Sequence, residues 1–157
     1  VAIIITAPEL NTLAELRDVT IGASEASLAA MEPIPRSMHT DNGLINKIRA
    51  SQTSIGDAEK EMMKILSRWV PYGRGILCGN SIHQDRRFLR KYFPTFDGYL
   101  GYRMLDVSSV KELAKRWYPP SALYTKNLGN HTALADVRES IEELKHYRRH
   151  LAELAGE

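Results

Sequence analysis

The sequence predicts an α/β domain in which helices flank a mixed β-sheet, and three observations carry that reading. Apolar, partly β-branched runs at 1–6, 75–79 and 102–107 have the length and composition of strands. Stretches with 3.6-residue apolar periodicity alternate with them, most clearly at 57–69 and 132–154. Pro and Gly punctuate the joints between the two kinds of segment. Strands interleaved with helices give a layered sheet-and-helix unit, and such sheets place ligands at the carboxyl ends of their strands. No internal repeat, low-complexity tract or linker divides the 157 residues, so one domain spanning 1–157 is expected.

Taken in order, Val1 to Thr6 reads as a buried strand, 7–11 as a turn, and Thr12 to Ile21 as its hairpin partner. Ser24 to Met31 reads as a short helix stopped by Pro33 and Pro35. Asp41-Asn42-Gly43 is a loop signal, and Leu44, Ile45 and Ile48 then form a short helical face. In the helix from Asp57 to Trp69, the inward positions are Ala58, Met62, Ile65 and Trp69, and Pro71 stops it. Gly75 to Gly79 is a second buried strand, with Cys78 as a small buried hydrophobe. A helix carrying Phe88, Leu89 and Tyr92 follows, closed by Pro94. Tyr102 to Val107 is the third strand, and Ser108 or Ser109 caps the helix from Val110 to Trp117. Beyond Pro119-Pro120 and a loop over 121–130, the last helix carries an apolar stripe of Leu134, Val137, Ile141, Leu144 and Leu151.

Composition narrows the class. Hydrophobic residues are 43% and charged residues 25%, the balance of an ordinary soluble domain. A net charge of +2 names no partner by itself. Local clusters at Arg86-Arg87, Arg90-Lys91, Lys115-Arg116 and Lys145 with Arg148-Arg149 read either as phosphate-facing patches or as solvated helix faces. A single cysteine excludes an internal disulfide and fits a reducing compartment. No apolar run reaches the roughly 20 residues of a membrane helix, and no leader pattern opens the chain, so a cytoplasmic or organelle-matrix location is expected. The chain starts without Met inside a β-branched run, which reads as a strand caught within a sheet and as a start inside a longer or processed protein.

Two segments carry side chains suited to chemistry. Asp85 opens a helix just past the second strand, beside several cations. A carboxylate there suits a metal or phosphate site, because the helix start adds a positive end and free N–H groups. It equally suits a carboxylate that only steadies the helix and pairs with an adjacent Arg. The second segment runs from His131 to Asp136. Five residues turn a helix by about 500°, which leaves these side chains about 140° apart, so they face one site only if His131 precedes the helix. An imidazole there has the right pKa range for a general base at neutral pH. The alternative is a capping His and a surface Asp. Phosphodiester hydrolysis needs an in-line water, charge neutralisation and a stabilised leaving oxygen, which two divalent ions held by clustered carboxylates provide. Oxygen ligands favour Mg²⁺ or Mn²⁺, and Asp85 with Asp136 are too few to hold two ions alone.

Three blocks resemble a known family. The run from Asn80 to Leu89 (NSIHQDRRFL) is similar to the second exonuclease motif of oligoribonucleases, that from Tyr102 to Leu113 to their next block, and that from His131 to Ser140 to their third motif. The resemblance covers nearly the whole chain. It implies an RNase H-like fold, the DEDDh exonuclease group, dependence on Mg²⁺ or Mn²⁺, a homodimer, and removal of nucleotides from the 3′ end of short single-stranded RNAs, dinucleotides above all. It further implies that Asp85 and Asp136 are metal-site carboxylates and His131 the general base. Ser81, Arg103, Ser108 and Ser109 match positions that hold the 5′ phosphate of a dinucleotide. Tyr102 matches an aromatic reaching the partner protomer's site, and His39 a histidine near the substrate. A guanidinium fork with hydroxyls is a good phosphate cage, and a closed cage disfavours longer RNA.

This sequence departs from the family pattern at three places. The family's opening strand, with its metal-binding Asp-x-Glu pair, is expected to precede Val1, within roughly 20–25 further residues judged by strand and turn sizes. Ile34 stands where the family has a Trp, and Ala135 where many members have an additional Asp. Beside the exoribonuclease stand two alternatives, a short-RNA or nucleotide-binding relative without catalysis and an exonuclease acting on DNA or longer RNA.

Overall fold

The computed structural model describes residues 1–126 and 132–155, with side chains through residue 150. Helices do surround β-structure, as expected, but the strands form two pairs. Strand β1 (Ile3–Thr6) pairs antiparallel with β2 (Thr12–Leu16), with Ile3 opposite Leu16 and a bulge between Ile5 and Thr6. Strand β3 (Leu77–Gly79) pairs parallel with β4 (Met104–Asp106), with Gly79 opposite Asp106. Of β1 only Ile5 is buried, so the strand is less enclosed than its apolar run suggests.

Between the pairs lie α1 (Glu25–Ala29), α2 (Pro33–Asp41), α3 (Leu44–Ala50) and α4 (Ile55–Trp69). Ser24 caps α1 by accepting from the Ser27 N–H, and Ser54 caps α4 by accepting from the Asp57 N–H. The prolines at 33 and 35 do more than stop α1, because Pro33 opens α2. A first-turn Pro gives up only an N–H that a helix start leaves unpaired, and its fixed φ suits the turn. The same reasoning explains α6 (Pro94–Tyr99), which Pro94 starts immediately after α5 (Ile82–Tyr92). The cap of α6 comes from far away in sequence, since Glu59 Oε1 accepts from the N–H groups of Thr95 at 2.7 Å and Phe96 at 3.0 Å.

The main core gathers Ala58, Met62 and Leu66 of α4 with Phe93 and Phe96, over the β1–β2 hairpin. Leu66 takes the place expected for Ile65, while Trp69, in the last turn, is largely exposed. On α5 the inward line is Ile82, Arg86, Leu89 and Phe93, at spacings of four, three and four, so Phe88 falls on the outer side and stacks on Tyr92. Ile76 and Cys78 share the face of β3 that the described elements leave open, so Cys78 is exposed rather than buried.

Helix α7 (Val107–Trp117) starts at Asp106, whose side chain accepts from the Ser108 N–H. The cap is therefore Asp106 and not Ser108 or Ser109, and the helix begins three residues earlier than the expected Val110. A short 3₁₀ turn, Pro120–Ala122, follows. Helix α8 (Ala133–Ala155) packs against α7, β1 and β3 and so joins the two strand pairs. Its Leu134 is buried as expected, but its most deeply buried side chains are Glu143 and Tyr147, on the face opposite Leu134.

Most basic clusters serve the fold. Lys115 and Arg116 pair with Glu112, Lys145 pairs with Glu142, and Arg148 donates to the carbonyl of Glu9. Arg86 is buried, bonds the carbonyl of Gly101 at 2.9 Å and forms an ion pair with Asp97 of α6. Removing one member of a buried pair strands the other charge. Asp97→Ala is expected to lower unfolding free energy by about 3 kcal/mol in urea denaturation. A loss of only about 0.5 kcal/mol would mean that Arg86 escapes to solvent.

Candidate active site

The candidate site forms where the parallel pair ends. Both strands stop at the same level, and each turns directly into a helix: β3 into α5 through Asn80-Ser81, and β4 into α7 at Asp106. Ser81 makes its turn at φ 50°, ψ 37°, in the left-handed region that side chains disfavour. Three contacts hold it there. Its N–H donates to Asp106 Oδ1 at 2.9 Å and lies 3.0 Å from Ser108 Oγ, while the Ser81 and Ser108 hydroxyls lie 3.3 Å apart. Asp106 Oδ1 also accepts from the Ser108 N–H at 2.9 Å, and its Oδ2 lies 3.3 Å from His83 Nδ1. Ser81 and Ser108 are thus brought together, with exposed hydroxyl groups at the start of two helices.

The other expected phosphate residues lie nearby in sequence. Arg103 is exposed just before β4 and stacks over the Tyr102 ring at 4.8 Å, with Tyr102 itself 76% exposed. Ser109 is exposed on the first turn of α7. His39 is half-buried on α2, and its Nδ1 is buried without a partner among the described residues.

Asp85 stands in the first turn of α5, and the reading in which it pairs with an adjacent Arg fails on geometry. Arg86 is committed to Asp97, and Arg87 donates to Gln84 at 3.1 Å. Partial burial pushes the Asp85 carboxyl up, opposed by its own N–H and by His83. Asp136 stands in the first turn of α8, exposed, where Thr132 Oγ1 accepts from the Ala135 N–H at 3.3 Å. Among the described residues neither carboxylate has a cationic side-chain partner. Two acidic groups left uncompensated at helix starts fit hard divalent cations with oxygen ligands. The described residues contain no group of three or more His, Cys, Asp or Glu that could hold an ion. His131 lies outside the described residues.

The sequence reading missed Asp106 and His83, although both stand inside quoted motifs. It also missed a buried link behind the site. Asn80 Nδ2 donates to Glu143 Oε2 at 2.9 Å, and Lys111 Nζ lies 3.2 Å from Glu143 Oε1. The available signal was the spacing of Asp136, Ser140, Glu143 and Tyr147, which puts them on one face of α8 at steps of four, three and four.

Comparison with known proteins identifies the family. The RNase_T family, described as Exonuclease, matches residues 1–144. The oligoribonuclease of Azoarcus sp. (strain BH72) is 46% identical over 155 residues, covering 99% of this chain and 85% of that protein. The oligoribonuclease of Klebsiella pneumoniae is 45% identical over 154 residues, covering 98% and 85%. That of Neisseria meningitidis serogroup A is 45% identical over 150 residues, covering 96% and 80%. The layered α/β architecture is that of an RNase H-like exonuclease, and no helix among the described residues is long and apolar enough to cross a membrane. The chain belongs to the exonuclease family and, within it, to the oligoribonucleases, and is a hydrolase of the exoribonuclease kind.

Proposed function

We propose that the protein removes nucleotides from the 3′ end of short oligoribonucleotides, dinucleotides above all, by metal-assisted hydrolysis. The observations that carry this reading are the Ser81–Ser108 hydroxyl pair at the carboxyl ends of β3 and β4 and the two first-turn carboxylates, Asp85 of α5 and Asp136 of α8, which form no salt bridge among the described residues. The relatives' printed name and the exonuclease family description support it.

Asp85 and Asp136 would hold divalent ions, Mg²⁺ or Mn²⁺, together with further carboxylates. Bound there, such ions supply charge neutralisation for the attacked phosphodiester and for its leaving oxygen. The rest is done by side chains. His131 takes the proton from the attacking water as that water's oxygen bonds to phosphorus. The bond from phosphorus to the preceding nucleotide's 3′ oxygen breaks, and a mononucleotide leaves. The hydroxyls of Ser81, Ser108 and Ser109 and the Arg103 guanidinium receive the 5′ phosphate of a dinucleotide. Backbone N–H groups add little at Ser81, because its own is already spent on Asp106 and Ser108. Tyr102, with its ring exposed and its face stacked by Arg103, contacts the second protomer's substrate in a homodimer, and His39 lies by the substrate. The reaction runs in the cytoplasm or an organelle matrix, within one domain spanning 1–157.

Three measurements check this reading. A 5′-phosphorylated RNA dinucleotide with Mn²⁺ is expected to release mononucleotides only in the absence of chelator, and chelator-insensitive binding without release would favour the non-catalytic relative. Asp136→Asn is expected to bring turnover to background while changing stability by no more than about 0.5 kcal/mol, since the side chain is exposed. Unfolding at ordinary temperature would instead assign Asp136 to the fold. Arg103→Ala is expected to cost roughly tenfold or more on dinucleotides through a lost charged hydrogen bond, and far less on longer chains. An equal loss on both would remove the cage.

A further inference from the structure

We infer that Asn80 and Glu143 are positioning residues, a buried latch that sets the Ser81 turn against the helix bearing Asp136; the inference rests on the phosphate-cage reading above. Glu143 is 0% exposed, on the face of α8 that it shares with Ser140 and Tyr147. A buried carboxylate is retained only where its partners are specific. Here they come from two other segments. Asn80, in the turn between β3 and α5, donates to Oε2 at 2.9 Å, and Lys111 of α7 approaches Oε1 at 3.2 Å.

Asn80 uses both ends of its amide on the same helix. While Nδ2 meets Glu143, Oδ1 accepts from Ser140 Oγ at 2.6 Å. Ser140 Oγ lies in turn 3.0 Å from the carbonyl oxygen of Asp136. Asp136, Ser140 and Glu143 follow one another at steps of four and three, hence on one face of α8. A two-point grip on residues 140 and 143 fixes the rotation and the register of α8 relative to Asn80. An apolar pair of the same size would fill the space without reading either. The residue after Asn80 is Ser81, whose left-handed backbone persists only where its surroundings over-determine it. Asp106 holds that backbone from the β4 side and Asn80 anchors it from the α8 side. The latch therefore couples the placement of the Ser81 hydroxyl to that of the Asp136 helix.

The test measures the dissociation constants of a 5′-phosphorylated and a 5′-hydroxyl RNA dinucleotide in chelator, together with the thermal midpoint, for the unmodified chain and for Asn80→Ala and Glu143→Gln. Asn80→Ala is expected to weaken the phosphorylated dinucleotide roughly tenfold, as a displaced contact does, and to leave the hydroxyl form nearly unchanged. Glu143→Gln keeps an oxygen for the Asn80 amide and is expected to retain most of the selectivity. Ser140→Ala, which removes one of the two Asn80 contacts, is expected to give a smaller shift of the same kind and serves if Asn80→Ala does not fold. Lowered midpoints with an unchanged affinity ratio in all three variants would overturn the positioning role and leave the site reading intact. Equal affinity of the unmodified chain for both dinucleotides would overturn the cage itself, and the latch's role with it.

Discussion

A parallel pair three residues long on each strand cannot fix its own ends, and the arrangement of the candidate site depends on the single carboxylate that does so, Asp106. It is the last residue of β4 and the cap of α7, and it reaches across to the N–H of Ser81. One oxygen serves two backbone N–H groups that would otherwise be unpaired at two helix starts, and the other meets His83. Charge-assisted bonds of this kind are stronger than neutral ones, which offsets the left-handed strain at Ser81 of roughly 1–2 kcal/mol. With that carboxylate in place, the Ser81 N–H is held beside Ser108, whose Oγ lies 3.0 Å away.

The same economy recurs through the fold. Where a broader sheet would lock its helices by packing alone, this chain ties them with side chains from distant segments. Glu59 caps α6, Arg86 joins α5 to α6 and to the carbonyl of Gly101, and Arg138 reaches Glu15 of β2 at 2.7 Å. Tyr124 belongs to this group. Burial first, and then a bond to Glu139 of α8, push its phenol up to about 12. Helix α8 is held along its length by such ties, and it carries Asp136 in its first turn.

Local chemistry was legible in the sequence and tertiary choice was not. The start of the first helix was read at Ser24, which caps it, because a cap is a matter of three adjacent residues, whereas the next long helix was started at Asp57, past its cap Ser54. Pro33 and Pro94 were read as stops because Pro bars a helix interior, yet the same residue opens a helix when the chain turns there, and only the neighbouring elements decide which. Phe88 was read with Leu89 and Tyr92 as the apolar part of its helix, but the inward line of α5 passes through Arg86, whose partner Asp97 lies eleven residues on in another helix. Cys78 follows the same logic, since an apolar strand is buried only on faces that something covers. Ser81, Ser108, Asp85 and Asp136 were picked out by motif resemblance. Asp106, which arranges the first two, was not, because its role consists of bonds to backbone groups that a motif does not show.

Asp85 shows how the two levels join. A carboxylate flanked by Arg86 and Arg87 looks neutralised in the sequence, and a neutralised carboxylate is a poor metal ligand. The fold removes both arginines from it, one into a buried pair with Asp97 and one to Gln84. What remains is an acid at a helix start, raised by partial burial and opposed only by its own N–H and His83. The buried Arg86–Asp97 pair thus has a consequence beyond stability. It turns the cation next in the chain away from Asp85, so the buried ion pair and the carboxylate without a salt bridge among the described residues are two results of one helix orientation.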